Sequence, residues 1–191
     1  MKNMEEQAAC GRWYHATRQS CVEAIRREGL RTAFYGAIHG ITGYPPVAPS
    51  VYLSRNFPPQ NLCLSLFDDP ANPVVILEVD GAGLDPRRIH PDDMLGQILA
   101  RDFLEYAEDE NDLGELAVEF ADRFGLDPVR ADTLLRRCMD VEDEREYPAI
   151  LKDMWVEYAA AEGEIAYAAD VPPEAIGPLH PWPEAEGDPE P

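Results

Sequence analysis

The sequence predicts an α+β fold in which a β-containing core is interrupted by a helical insertion. Three observations carry this expectation. Short β-type runs fall in the first 80 residues and again after Gly163, stretches with helical spacing fill the interval between them, and the charge divides at nearly the same place. Residues 1–90 carry nine Lys/Arg and nine Asp/Glu, whereas residues 91–191 carry seven and 28, so the whole net charge of −21 lies in the second part. The length of 191 residues suits one domain over residues 1–179, with the insertion at about 92–158 and a disordered Pro/Glu/Gly-rich tail at 180–191.

The acidic half disfavours nonspecific nucleic-acid binding, which relies on Lys and Arg to neutralise phosphates. Cys10, Cys21, Cys63 and Cys138 form no CxxC and no zinc-type spacing with histidine, so they read as free thiols in a reducing cytoplasm, and no metal is expected. The first nine residues lack the apolar stretch of a signal peptide, and no apolar run approaches the ~20 residues that span a bilayer, so no membrane association is expected.

In chain order, residues 12–16 read as a strand that ends near His15 and delivers the imidazole into a turn. Thr17 or Ser20 then caps a helix, Ser20 and Glu23 having capping-box spacing, and Gly29 supplies the left-handed stop. Residues 31–50 hold many Gly and Pro and predict a long irregular loop containing His39, which is read as a loop residue. Val51–Ser54 is a short strand, and Asn56 and Pro58 open a helix to about Leu66. Val74–Asp80 is the strongest strand by β-branched content; Gly81 and Gly83 end it, and residues 84–89 add a short strand. Helical spacing marks residues 92–107, 113–124 and 128–139, the last opened by Asp127 as cap and Pro128 in the first turn. Leu113, Leu116, Ala117 and Phe120 form one apolar stripe, and Val129, Leu134 and Leu135 contribute to another. Residues 164–169 restart β structure, followed by Val171 to Ile176.

Five segments then recur in one order: Tyr14-His15-Ala16-Thr17, a helix ending in Glu28-Gly29-Leu30-Arg31, the strand Val51–Ser54, the strand Val75–Asp80, and Glu164–Tyr167. This pattern resembles the ADP-ribosyltransferase superfamily, specifically the branch marked by a His-Tyr-Glu triad, as in diphtheria-toxin-like enzymes and poly(ADP-ribose) polymerases. It covers residues 12–90 and 155–179, with the helical insertion outside it. Ala16 stands where these families usually have Gly. The resemblance implies a split β-sandwich core holding NAD, as substrate, in a cleft between two sheets. It implies catalytic roles for His15, Tyr52 and Glu164, with His15, Ala16, Thr17, Tyr52 and Ser54 contacting NAD. Within it, His15 bonds the adenosine ribose, Tyr52 lines or stacks on the nicotinamide, and Glu164 accepts a hydrogen bond from the nicotinamide-ribose 2′-hydroxyl.

Each residue also has a plainer reading. His15 is then a satisfied strand histidine, Tyr52 a strand aromatic, Ser54 a turn-satisfying hydroxyl, and Glu164 a solvated acid at a strand start. Arg12, Arg18 and Arg31 suit a pyrophosphate or are surface charges. Glu162, two residues before Glu164, resembles in its spacing the acceptor-activating acid of arginine-modifying relatives, a branch that usually carries Arg and a Ser-Thr-Ser strand where this chain has His15 and Val51–Ser54. The expected function is mono-ADP-ribosyl transfer to a macromolecular acceptor with release of nicotinamide. The alternatives are an NAD-dependent RNA 2′-phosphotransferase-like enzyme and a non-catalytic acidic module that presents residues 92–160 to a basic protein partner.

Overall fold

The strand that carries His15 runs farther than the sequence suggests. In the computed structural model, which describes residues 4–32, 48–59, 69–92, 94–106 and 110–183, strand β1 spans Arg12–Arg18. It follows a short helix, α1 (Met4–Ala9), and lies beside β3 (Val74–Asp80), with which it pairs at every residue from Arg12↔Asp80 to Arg18↔Val74. That ladder is why β1 continues through Thr17: seven backbone partners outweigh the capping preference of one threonine. His15 therefore sits in mid-strand, not at a turn, and Thr17 is a buried strand residue, not a cap.

The expected Ser20–Glu23 capping box also does not form. A 3₁₀ turn at Gln19–Cys21 precedes helix α2 (Val22–Glu28), Cys21 takes the cap position without a side-chain bond, and the Ser20 hydroxyl accepts instead from Asn72 Nδ2 at 2.9 Å. The Gly29 stop does form, at φ 80°, with its N–H on the Ile25 carbonyl at 2.7 Å. A Cβ at Gly29 would stand 2.1 Å from the Val171 carbonyl oxygen, because Leu30 and Val171 exchange backbone hydrogen bonds there. Gly29→Ala is therefore expected to lower stability by about 2–4 kcal/mol, combining left-handed strain with a backbone clash. Urea unfolding tests this, and a loss below about 0.5 kcal/mol would contradict the close approach.

Strands β2 (Val51–Ser54), β4 (Ile89–His90), β5 (Glu164–Tyr167) and β6 (Ile176–Pro181) complete a six-stranded sheet in the order β4-β5-β2-β1-β3-β6. All the strand pairs are antiparallel. β3 is buried over most of its length, as its unbroken Val-Val-Ile-Leu run requires of an inner strand, while Pro178 and Pro181 sit on the edge strand β6, where a missing N–H is tolerated. Residues 84–89 form mainly a 3₁₀ turn (Pro86–Arg88), leaving β4 only two residues. β6 runs through His180 and Pro181, so the expected start of a tail at 180 is corrected: His180 pairs with Ile76 and Pro181 with Val75. The helix expected from Asn56 to Leu66, most of the 31–50 loop, His39 and Cys63 lie wholly or largely outside the described residues. Cys21 and Cys138 are free thiols, and burial pushes the Cys138 thiol up to about 12.

Between β4 and β5 come helices α3 (Met94–Asp102), α4 (Glu110–Phe124), α5 (Pro128–Met139), α6 (Tyr147–Leu151) and α7 (Trp155–Ala161). Asp127 caps α5 as expected, accepting from Val129 N and Arg130 N. The α4 stripe packs inward, but Val129 is 74% exposed: the first turn of α5 points it outward, and Ala131, Leu134, Leu135 and Cys138 face the core instead. The helical region runs to Ala161, three residues past the expected 158. Two apolar clusters result, one among the helices and one on the Trp13 face of the sheet. α7 belongs to both, giving Tyr158 to the helical cluster and Trp155 and Ala159 to the sheet cluster. Among the described residues, no helix is long and apolar enough to cross a membrane.

Candidate active site

The sheet is nearly parted between β1 and β2. Where β1 pairs β3 over its full length, it pairs β2 at one position, Tyr14↔Ser54. Beyond that rung a side chain takes over from the backbone: His15 Nδ1–H donates to the Tyr52 carbonyl oxygen at 3.0 Å. That bond fixes the tautomer and leaves Nε2 as the ring's acceptor. Burial lowers the His15 pKa, partly opposed by the bond to Tyr52, so the ring is neutral at pH 7.

β2 connects this joint to β5. Ser54 pairs with Glu164 and Tyr52 with Ala166, so register puts the side chains of Tyr52, Ser54 and Glu164 on one face, with Tyr14 opposite Ser54 on the same face. By strand alternation His15 and Thr17 leave β1 on the other face, the side of Trp13, and His15 reaches the group through the β2 backbone. His15, Tyr52 and Glu164 thus lie on three neighbouring strands, and Ala16, buried beside His15, pairs with Ile76.

Glu164 is 1% exposed, which excludes the solvated strand-start reading. Its place is set by the stop of α7. Gly163 (φ 77°) closes the helix through its N–H on the Ala159 carbonyl at 3.1 Å, its own carbonyl accepts from Arg55 N at 2.6 Å, and β5 begins at the next residue. Ser54 is fully buried and its Oγ accepts from Asn56 N at 3.0 Å, so the hydroxyl serves the turn after β2.

Two residues that the sequence did not single out join Glu164. Tyr158 donates its hydroxyl to Asp92 Oδ1 at 2.6 Å, and both are buried. Burial, and then the negative charges of Asp92, Glu164 and Glu162, push the Tyr158 pKa well above its usual value, so the phenol stays protonated. The contact joins residues 66 apart, which helical periodicity does not reveal. His90 is a third such residue. It pairs with Ala166, and burial lowers its pKa, with Lys152 adding to the effect and Asp153 opposing it.

The remaining candidates are engaged elsewhere. Arg12 pairs with Glu78 (3.4 Å), Arg18 with Asp69 (3.4 Å) and Arg31 with Asp170 (2.8 Å). Glu162 pairs with Arg123 at 3.1 Å, and its backbone carbonyl accepts from Asn56 Nδ2. Among the described residues, no group of three or more His, Cys, Asp or Glu could hold a metal ion. Comparison with family models, curated proteins and solved structures finds no match to this chain.

Proposed function

We propose that the chain is an NAD-dependent mono-ADP-ribosyltransferase acting on a macromolecular acceptor. The observation that carries this reading is the single-rung joint between β1 and β2, bridged by His15, with a buried glutamate one strand away on the face of Tyr52. A sheet opened at this point agrees with the split core implied by the ADP-ribosyltransferase resemblance, and the triad residues fall on adjacent strands around the opening.

The donor set suits a substrate carrying ribose hydroxyls and a flat ring. The Tyr52 ring and the Glu164 carboxylate, both buried on one face, suit a flat ring and a ribose hydroxyl, and His15 Nε2, on the other face, accepts from a second hydroxyl only of a ligand that passes between β1 and β2. Bound NAD supplies a glycosidic bond whose electron pair leaves with nicotinamide, so positive charge grows on the ribose as the bond breaks. Glu164 acts at that moment: a fixed carboxylate in a water-poor setting stabilises charge present only in the transition state. The acceptor's nucleophilic atom forms the new bond from the opposite face, and its proton passes to solvent.

Incubation with labelled NAD and a cell lysate is expected to give a labelled adduct and free nicotinamide. His15→Ala is expected to raise the KM for NAD about tenfold, the worth of about one hydrogen bond. Loss of phosphate from a 2′-phosphorylated RNA only when NAD is present would move the assignment to the phosphotransferase. Salt-sensitive binding of a basic protein that survives both His15→Ala and Glu164→Ala, without nicotinamide release, would move it to an acidic binding module.

A further inference from the structure

We infer that the Asp92–Tyr158 hydrogen bond is a clamp that positions Glu164, which makes Asp92 and Tyr158 positioning residues for the proposed transfer. The inference rests on the reading of Glu164 as the charge-stabilising carboxylate. Its basis is the register of β4 on β5. Ile89 pairs with Tyr167 and His90 with Ala166, so the same antiparallel count continued by two residues would bring Pro91 opposite Ile165 and Asp92 opposite Glu164. The ladder itself ends at His90. Glu164 is thus held by β2 on one side through Ser54, while on the other side the strand has ended and the buried Asp92 follows it.

Asp92 is itself fixed at two points. Oδ1 accepts from Met94 N at 2.9 Å, which ties it to the start of α3, and from the Tyr158 hydroxyl at 2.6 Å, which ties it to α7. α7 leads through Gly163 directly into Glu164, because the Glu162 and Gly163 amides close on the Tyr158 and Ala159 carbonyls. The Tyr158–Asp92 bond therefore closes a ring of elements, β5, β4, Asp92, Tyr158, α7 and back to β5, with Glu164 at the first position of β5 and its charge acting on Tyr158. Tyr158 also packs near Phe124 of α4, with ring centroids 6.2 Å apart, so the helical cluster supports the clamp.

The test uses the full chain, NAD with an identified acceptor, and amide hydrogen exchange of the protein without NAD. Tyr158→Phe keeps the ring and removes the hydroxyl; it is expected to lower kcat about tenfold with KM for NAD unchanged. Asp92→Ala should match it, the double variant should be no worse than either single one, and Asp92→Asn, which keeps an acceptor oxygen, should stay within about twofold of the parent. Without NAD, the Glu164 and Ile165 amides should exchange at least about tenfold faster in Tyr158→Phe while those of α4 do not change. Parent-like kcat and exchange in Tyr158→Phe would overturn the clamp. So would a uniform rise in exchange across α4, α5 and β5 with KM and kcat changed together, which marks a merely structural residue. If the parent protein releases no nicotinamide, the transferase reading fails, and the exchange arm still decides whether the bond holds Glu164 in place.

Discussion

Glu164→Ala is expected to lower the rate of nicotinamide release by about 10²–10³-fold at saturating NAD, the loss typical of one preorganised electrostatic contact. The KM for NAD should change little, because the lost interaction strengthens only as the glycosidic bond breaks. Glu164→Gln should lose nearly as much: the amide fills the same space and carries no charge. Unfolding should not account for the loss. Glu164 is buried, so urea unfolding measured beside turnover separates loss of folding from loss of chemistry. Full turnover by Glu164→Ala on an identified acceptor would remove the proposed mechanism.

Trp13→Ala should give the largest loss of stability, about 3–5 kcal/mol, the range for deleting a fully buried large aromatic. Trp13 is 0% exposed, and its indole Nε1–H donates to the Ala9 carbonyl at 2.9 Å, fastening α1 to the sheet. Arg55 lies over the ring, 4.5 Å from its centroid, and a Cβ at Gly81 would stand 2.8 Å from its edge, so little can move in to fill the space. Trp13→Phe, which retains an aromatic but drops the donor, should cost about 1–3 kcal/mol through the unsatisfied Ala9 carbonyl and the smaller ring. Thermal unfolding measures both, and for a chain of this size each kcal/mol corresponds to roughly 2–4 °C in Tm. A loss under 1 kcal/mol in Trp13→Ala would show that the ring does not fill the sheet cluster.

What could be read in advance was local and periodic. The Val-Val-Ile-Leu run specified β3, Asp127-Pro128 specified the start of α5, Gly29 specified the end of α2, and the apolar spacing from Leu113 to Phe120 specified the inner face of α4. Each of these is decided within a few residues of chain. The misreadings were decided at a distance. Thr17 has the chemistry of a cap, yet Val75 on β3 claims it for the ladder, and β6 runs through the expected tail start at 180 because Val75 and Ile76 pair with the residues there. For the site, the order of His15, Tyr52 and Glu164 was legible, but their grouping depends on strand order, and Asp92 with Tyr158 was invisible because one phenol reaches across 66 residues. Ser54 illustrates the reverse: its strand position was read correctly, while its hydroxyl is committed to Asn56.

The lone rung at Tyr14↔Ser54 gives the sheet a degree of freedom that a continuous ladder lacks. Beyond it the β1–β3 and β2–β5 ladders are each whole, and the contacts that cross between them include His15 to Tyr52, Arg55 over Trp13 and Tyr14 against Phe57. His15 thereby ties β1 to β2 where the backbone ladder does not. In the proposed transferase, a molecule that enters between β1 and β2 would meet the imidazole and its bond to Tyr52 together.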